Sequence, residues 1–221
     1  MLNLIYVYVL LLLIGYLCGN IHGAFIIGKL FRNEDIRNHG SGNSGSTNAL
    51  RVFGFKLALP AFILDFSKGF FPVFFATNIA SFLLSLIGVF KTFNEEEVVM
   101  LTTVVAIGVI LGHNYPFTLK FKGGKGIAST VGILMAINFF AGLIYGAIIL
   151  AISFTTRYVS LGSIIASLFI PLLLYIFTQD VNYMILGFML MVLAIYRHKS
   201  NIVRLKNGTE NKFGNKEKRV K

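Results

Sequence analysis

The chain has 221 residues, 56% of them apolar, and a formal net charge of +11. The apolar share exceeds the roughly 45–50% of soluble domains, and it comes in blocks near the about 20 residues that cross a bilayer; an ordinary soluble domain is excluded. In a membrane protein the positive excess points to cytoplasmic loops beside anionic lipid, not to nucleic acid, and a single cysteine, Cys18, excludes an intrachain disulfide.

The run from Leu4 to about Leu30 reads as the first span. It has no positive residue before it and no A-x-A site behind it, so it is expected to be a retained helix, not a cleaved signal peptide. Gly15, Gly19 and Gly23 recur every four residues and predict one face open to close helix approach. His22, on the same run, reads as a packed residue rather than a catalytic one.

Residues 31–56 form a loop in which Arg32, Arg37, Arg51 and Lys56 outweigh Glu34 and Asp35, which places it inside. Its centre is Gly40-Ser41-Gly42-Asn43-Ser44-Gly45-Ser46-Thr47-Asn48-Ala49-Leu50-Arg51. Closely spaced glycines let backbone N–H groups converge, short polar side chains add hydrogen bonds, and Arg51 adds a fork suited to phosphate. A flexible linker needs the Gly and Ser but not Thr-Asn followed by Arg. The stretch therefore reads as an anion-holding loop.

Leu57 to about Phe90 is too long for one straight span and short for two. Asp65 and Lys68 within it sit one helical turn apart and can pair; buried charges in an apolar run are expected at a structural position near a site. Glu95, Glu96 and Glu97 lie in a solvated loop expected outside. Val98 to Leu111 is another span, running into the second polar stretch, Gly112–Gly126. There Gly123, Gly124 and Gly126 flank Lys125 just before an apolar helix from Ile127. Such a loop can bind phosphate through backbone N–H groups, the helix dipole and Lys. It is not a Walker A loop, because Gly126 follows Lys125.

Residues 127–155 are flanked on both sides by segments expected inside, so two short helices breaking near Asn138 are predicted. Leu161–Phe177 then leads out and Val181 to about Tyr196 returns. The tail, Arg197–Lys221, carries nine Lys and Arg against Glu210 and Glu217, as expected inside. His198 and Asn201 share a helix face at its start. The resulting fold class is all-α: a polytopic membrane protein of about seven transmembrane helices, N-terminus outside and C-terminus cytoplasmic. Residues 1–214 form one domain, and 215–221 form a basic tail expected to be disordered.

All four polar clusters, Gly40–Arg51, Gly112–Gly126, Ser160–Ser163 and Arg197–Glu210, fall on one predicted side. They contain no carboxylate pair, no Cys/His metal set and no G-x-S-x-G, which disfavours two-carboxylate and metal catalysis. A transporter of an anionic metabolite remains the rival, although a carrier needs its site at mid-membrane and shows repeats absent here. A non-catalytic lipid-binding protein is the other.

Taken together, Gly40–Arg51, Asp65-Phe66-Ser67-Lys68-Gly69, Gly112-His113 with Pro116–Gly126, Ser160–Ser163, and His198, Asn201 and Glu210 carry a resemblance. The chain resembles the bacterial integral-membrane glycerol-3-phosphate acyltransferases that use acyl phosphate as donor. The pattern departs at Ser44 and Ser46, where many members carry Pro and Ala. The His-x-x-x-x-Asp dyad of another acyltransferase superfamily is absent.

The resemblance implies a multi-pass protein of the cell membrane with a cytosol-facing site. It implies transfer of a fatty acyl group to the 1-hydroxyl of glycerol-3-phosphate, giving lysophosphatidate and phosphate, the first step of phospholipid synthesis. Ser41, Arg51, Lys125, His198 and Asn201 are the implied catalytic residues. Gly40, Gly42, Asn43, Gly45, Thr47, Asn48, His113, Gly123, Gly124, Gly126, Ser160 and Ser163 are the implied substrate contacts. Asp65, Lys68 and Glu210 are structural neighbours. No cofactor or metal is implied; the partners are the two substrates and the bilayer. Either the donor phosphate or His198 takes the hydroxyl proton.

Overall fold

The computed structural model describes residues 2–212, and no strand occurs among them. The segment 215–221, predicted as a disordered tail, lies outside the described residues. The helices are α1 (Leu2–Gly19), α2 (Gly23–Arg32), α3 (Ser46–Val52), α4 (Phe55–Phe74), α5 (Ala76–Ser85) and α6 (Glu95–Asn114), then α7 (Ile127–Ile137), α8 (Phe139–Thr156), α9 (Val159–Leu168), α10 (Ile170–Thr178), α11 (Val181–Arg197) and α12 (Lys199–Lys206). Short 3-10 turns occupy Ile36–Asn38 and Phe117–Leu119.

Four helical segments among the described residues are long and apolar enough to cross a membrane: Leu4–Arg32, Phe55–Phe74, Glu95–Leu119 and Phe139–Thr156. The number is six if α9 with α10, bent by 48°, and α11 with α12, bent by 57°, each count as one. The sequence reading of seven includes 127–137. That stretch is the 11-residue α7, about 16 Å long at about 1.5 Å per residue, short of the about 30 Å of hydrocarbon. Phe62, Phe71, Phe74, Phe154 and Phe188 stand exposed on the outside of the bundle, as a lipid-facing surface requires and an aqueous one does not favour.

Small residues set the packing. α1 and α6 approach through interleaved glycines: a Cβ on Gly15 would overlap the Val105 carbonyl, one on Gly19 the Val109 carbonyl, one on Gly108 the Leu12 carbonyl and one on Gly112 the Tyr16 carbonyl. Lipid supplies no hydrophobic drive between helices, so such close backbone contact holds them together. α4 and α7 use the same device, with Gly69 against Ser129 and Gly132 against Phe66. Gly23, expected on the face of Gly15 and Gly19, packs on Ala61 of α4 instead.

The reason is a break. The first apolar run stops being helical at Asn20–His22 and restarts at Gly23. A broken helix leaves carbonyls and N–H groups unsatisfied. Here Lys68 Nζ donates to Gly19 O at 3.1 Å and to Ile21 O, while Asp65 Oδ1 accepts from Gly23 N at 3.2 Å. Lys68 and Asp65 also pair, 2.9 Å apart and almost fully buried. The charged pair on α4 therefore caps both sides of the break in the first span.

The far end of the bundle is closed by polar caps. Asn94 and Glu97 form a reciprocal capping box at the start of α6. Asn138, where the sequence placed a break, caps α8 by accepting from Phe140 N and Ala141 N, and its amide donates to Phe177 O. Asp180 accepts from Asn182 N at the start of α11. A Thr102–Tyr183 hydroxyl contact of 2.9 Å ties α6 to α11 at the same end. The main core, with Leu11, Val105, Leu134, Tyr145, Leu174 and Leu186, lies between the two ends.

Candidate active site

A second, smaller apolar cluster seats the first glycine-rich loop. Ile36 and Ala49, Val52 and Phe53 pack with Ala24, Ile27, Ala58 and Ala61 of α2 and α4. The loop between the 3-10 turn and α3 is organised by Asn48, which is 2% exposed. Asn48 Oδ1 accepts from Ser41 N at 2.9 Å, and its amide donates to Ile36 O, His39 O and Asn43 O. Asn43 Oδ1 accepts from Gly45 N at 2.9 Å. Gly40 has φ +59, and a Cβ there would overlap the Asn48 side chain. Asn43 and Asn48, expected among the substrate contacts, are thus turned into the loop and shape it. Gly40, Ser41, Gly42 and Thr47 are exposed, whereas Ser44 is fully buried.

The second loop rests on His113. Gly124 N donates to His113 O at 3.0 Å, and a Cβ on Gly124 would overlap His113 Nε2 while one on Gly123 would overlap His113 O. Those two glycines are required by close packing. His113 is 2% exposed and sits behind the loop. Its Nδ1 is 3.9 Å from Asp65 Oδ1. Gly126 begins α7 at φ +80, a left-handed conformation that suits glycine, and offers no side-chain cap. No side chain caps the N-terminus of α7 next to Lys125.

The C-terminal segment closes onto this loop. Arg197 Nε and Nη2 donate to Gly124 O at 3.1 and 2.9 Å, Nη2 also to Gly123 O at 3.2 Å, and the guanidinium lies 5.0 Å over the Tyr115 ring. α12 brings Asn201 to Lys125: Asn201 Oδ1 accepts from Lys125 Nζ, and its amide donates to Glu210 Oε1 at 2.8 Å. Glu210 also accepts from Ser160 Oγ at 2.9 Å and from Arg204 Nε at 2.7 Å. His198 Nδ1 lies 2.8 Å from Ala194 O. A carbonyl only accepts, so the proton is on Nδ1 and Nε2 carries the lone pair. Ser163, expected as a substrate contact, bonds Val159 O within its own helix at 2.9 Å.

The charge here is dense. Burial lowers the Lys125 pKa to about 8; Glu210 opposes this, and Arg204, Arg51 and Arg197 deepen it. Burial pushes the Glu210 carboxyl up, but hydrogen bonds from Asn201, Ser160 and Arg204 outweigh it and hold Glu210 below the ordinary carboxylate range. Arg51, in the last turn of α3, is close enough to act on Lys125. Three arginines thus act on the Lys125 ammonium, with one carboxylate opposing them, a net positive field that favours a phosphate-bearing ligand. Arg37 links the loops from the other side: it pairs with Asp35 at 2.7 Å and donates to Leu119 O at 3.0 Å.

Lys125, Asn201, Glu210 and Ser160 are brought into one bonded network, with Arg51 within its field. His113 and Ser163 lie behind or beside that network. Asp65 and Lys68 lie deeper, at the helix break. Arg197 was legible only as one more tail cation, and its grip on Gly123 and Gly124 depends on α11 ending beside that loop.

A sequence model of the family described as glycerol-3-phosphate acyltransferase matches residues 9–208. A glycerol-3-phosphate acyltransferase of Thermoanaerobacter sp. (strain X514) is 45% identical over 208 residues, covering 94% of this chain and 96% of its own. One from Alkaliphilus metalliredigens is 40% identical over 207 residues, covering 94% and 96%. Among solved structures, the integral membrane glycerol 3-phosphate acyltransferase PlsY in its glycerol 3-phosphate form is similar with a TM-score of 0.79 and 36% identity, over 94% of this chain and 96% of that one. Its lysophosphatidic acid form gives 0.77 and 35%, over 94% and 95%.

Proposed function

The chain belongs to the glycerol-3-phosphate acyltransferase family, and on that premise we propose that it moves a fatty acyl group from acyl phosphate to the 1-hydroxyl of glycerol-3-phosphate. The acyltransferase activity and the membrane setting follow from the family; the donor, the products and the residue roles are the proposal. The 1-hydroxyl oxygen attacks the acyl carbonyl carbon, the carbon–oxygen bond to phosphate breaks, and the hydroxyl proton leaves with phosphate. The products are lysophosphatidate and inorganic phosphate. Phosphate is a good leaving group, so no strong general acid is needed.

In this reading the exposed Ser41 and Thr47, with backbone at Gly40 and Gly42, receive the donor phosphate. Arg51 and Lys125 hold the glycerol-3-phosphate anion, with Asn201 fixing Lys125 and Ser160 and Glu210 fixing Asn201. The donor's own phosphate oxygen takes the proton; His198, with its Nε2 lone pair, orients the glycerol hydroxyl. Most of the rate comes from orientation and charge stabilisation. We further infer seven crossings, with α7 as a short one, the N-terminus outside and the site facing the cytoplasm, because the basic loops gather at the site end.

The observation that most supports the reading is the Lys125–Asn201–Glu210 chain of hydrogen bonds, which holds a half-buried ammonium beside the uncapped start of α7. The test is a donor comparison in detergent, with glycerol-3-phosphate and palmitoyl phosphate, palmitoyl-CoA or palmitoyl carrier protein. Equal lysophosphatidate and phosphate from the acyl phosphate alone is the expected result. Product from a thioester donor alone overturns the donor assignment.

A further inference from the structure

The two glycine-rich loops come from distant parts of the chain, yet a line of buried contacts runs between them. Ser44 of the first loop is fully buried, at 0% exposure, between the half-buried Asn43 and Gly45. Its Oγ is 3.1 Å from His22 Nδ1. His22, 1% exposed, sits at the break before α2, and its ring lies 4.9 Å from that of His113, tilted by 38°. The other edge of the His113 ring lies against Gly124, so tightly that a Cβ on Gly124 would overlap Nε2.

The line is flanked by charged groups. Asp65 Oδ1 is 3.9 Å from His113 Nδ1 and is itself held by Lys68 and Gly23 N. Arg197 grips Gly123 and Gly124 from the opposite face. The first loop therefore meets the second through two flat, rigid rings with few rotatable bonds.

We propose that His22 and Ser44 are positioning residues: with His113 they form a spacer that sets the separation of the two substrate loops. This rests on the acyl-transfer reading above, in which the donor phosphate occupies the first loop and the acceptor phosphate is held beside the second. The Gly40–Thr47 part of the first loop binds the donor anion, while Lys125 of the second loop and Arg51, at the end of α3, bind the acceptor anion. What the spacer supplies is their relative placement, on which the rate depends steeply, since a displacement of about 1 Å costs up to about 10²-fold. Loss of the spacer therefore lowers kcat while leaving both KM values near those of the parent.

The experiment uses the full chain in detergent on a Cys18→Ala background. Spin labels at Thr47→Cys and Lys122→Cys report the distance between the loops, and turnover is measured on unlabelled protein. Ser44→Ala and His22→Leu each broaden the distance distribution and lower kcat by about tenfold, with KM for either substrate changed by less than about twofold. The double variant is no worse than the poorer single one, because both break the same line. His22→Asn, whose amide can replace Nδ1 toward Ser44, recovers part of the loss relative to His22→Leu.

Narrow, parent-like distances in both variants with unchanged kcat overturn the proposal, as does a rise in KM that accounts for the whole loss. If His22→Leu fails to fold, Ser44→Ala, which lacks only a hydroxyl, carries both readouts. A parent without turnover would sink the acyl-transfer reading, and the label distances would still decide the spacer.

Discussion

At one end of the bundle Asn94, Asn138 and Asp180 cap α6, α8 and α11 with their own side chains; at the other, α3 and α7 begin on Gly45 and Gly126, which have no side chain to cap with. The first arrangement satisfies the leading N–H groups from within the chain. The second leaves the positive start of α7 open beside Lys125, where an anion can complete it. The same backbone chemistry is thus finished at one end and kept available at the other. The helix starts that most need stabilising are the ones the proposed substrates would stabilise.

The sharpest way to break this contrast is to remove the charge from the open end. Lys125→Ala should lower kcat/KM by about 10²–10³-fold, with a melting temperature close to that of the parent; a loss below about tenfold would remove Lys125 from the site. The same group gives a pH signature. With its pKa near 8, the ammonium is present at lower pH and lost at higher pH, so KM for glycerol-3-phosphate should climb above pH 8. Lys125→Arg, which stays charged, should remove that climb.

A smaller effect is expected at the clamp on the open loop. Arg197→Lys keeps the charge but cannot reach both Gly123 O and Gly124 O with a planar fork. A fall in kcat of about tenfold is expected, read by steady-state kinetics; parent-like turnover would show the loop needs no clamp. The smallest effect belongs to the capped end. Asn138→Ala should cost about 1 kcal/mol of stability, seen in thermal unfolding, and leave kcat and KM of the folded protein alone.

The sequence shows these two ends unequally. Both glycine-rich loops are legible because their chemistry is local: glycines, hydroxyls and cations within a dozen positions. The Asn138 break is legible because charge on both flanks demands an even number of crossings. The break at Asn20–His22 is not, because Asn20 and His22, even between Gly19 and Gly23, also fit one continuous helix with packed polar groups; what holds it is Lys68 and Asp65 on another helix. For the same reason the four-residue glycine spacing suggests one face, while Gly23 turns to a different partner from Gly15 and Gly19. Asn48 reads as a polar group free for a ligand, and only the folded loop reveals that four backbone groups claim it. Arg197 is invisible among the tail cations until α11 and the lysine loop meet.

The capping of the first span by α4 also has a bearing on how the protein is made. Lys68 is 47 positions after Ile21, whose carbonyl it receives. At translation rates of about 5–20 residues per second, that lysine follows Ile21 by about 2–9 s. During that interval a continuous helix is the state that leaves no backbone group unsatisfied in lipid. The break that sets His22 beside the first loop is therefore a late event in biogenesis, made when the fourth helix arrives with its charged pair. A ribosome stalled before Asp65 would hold a straight first helix and no active site.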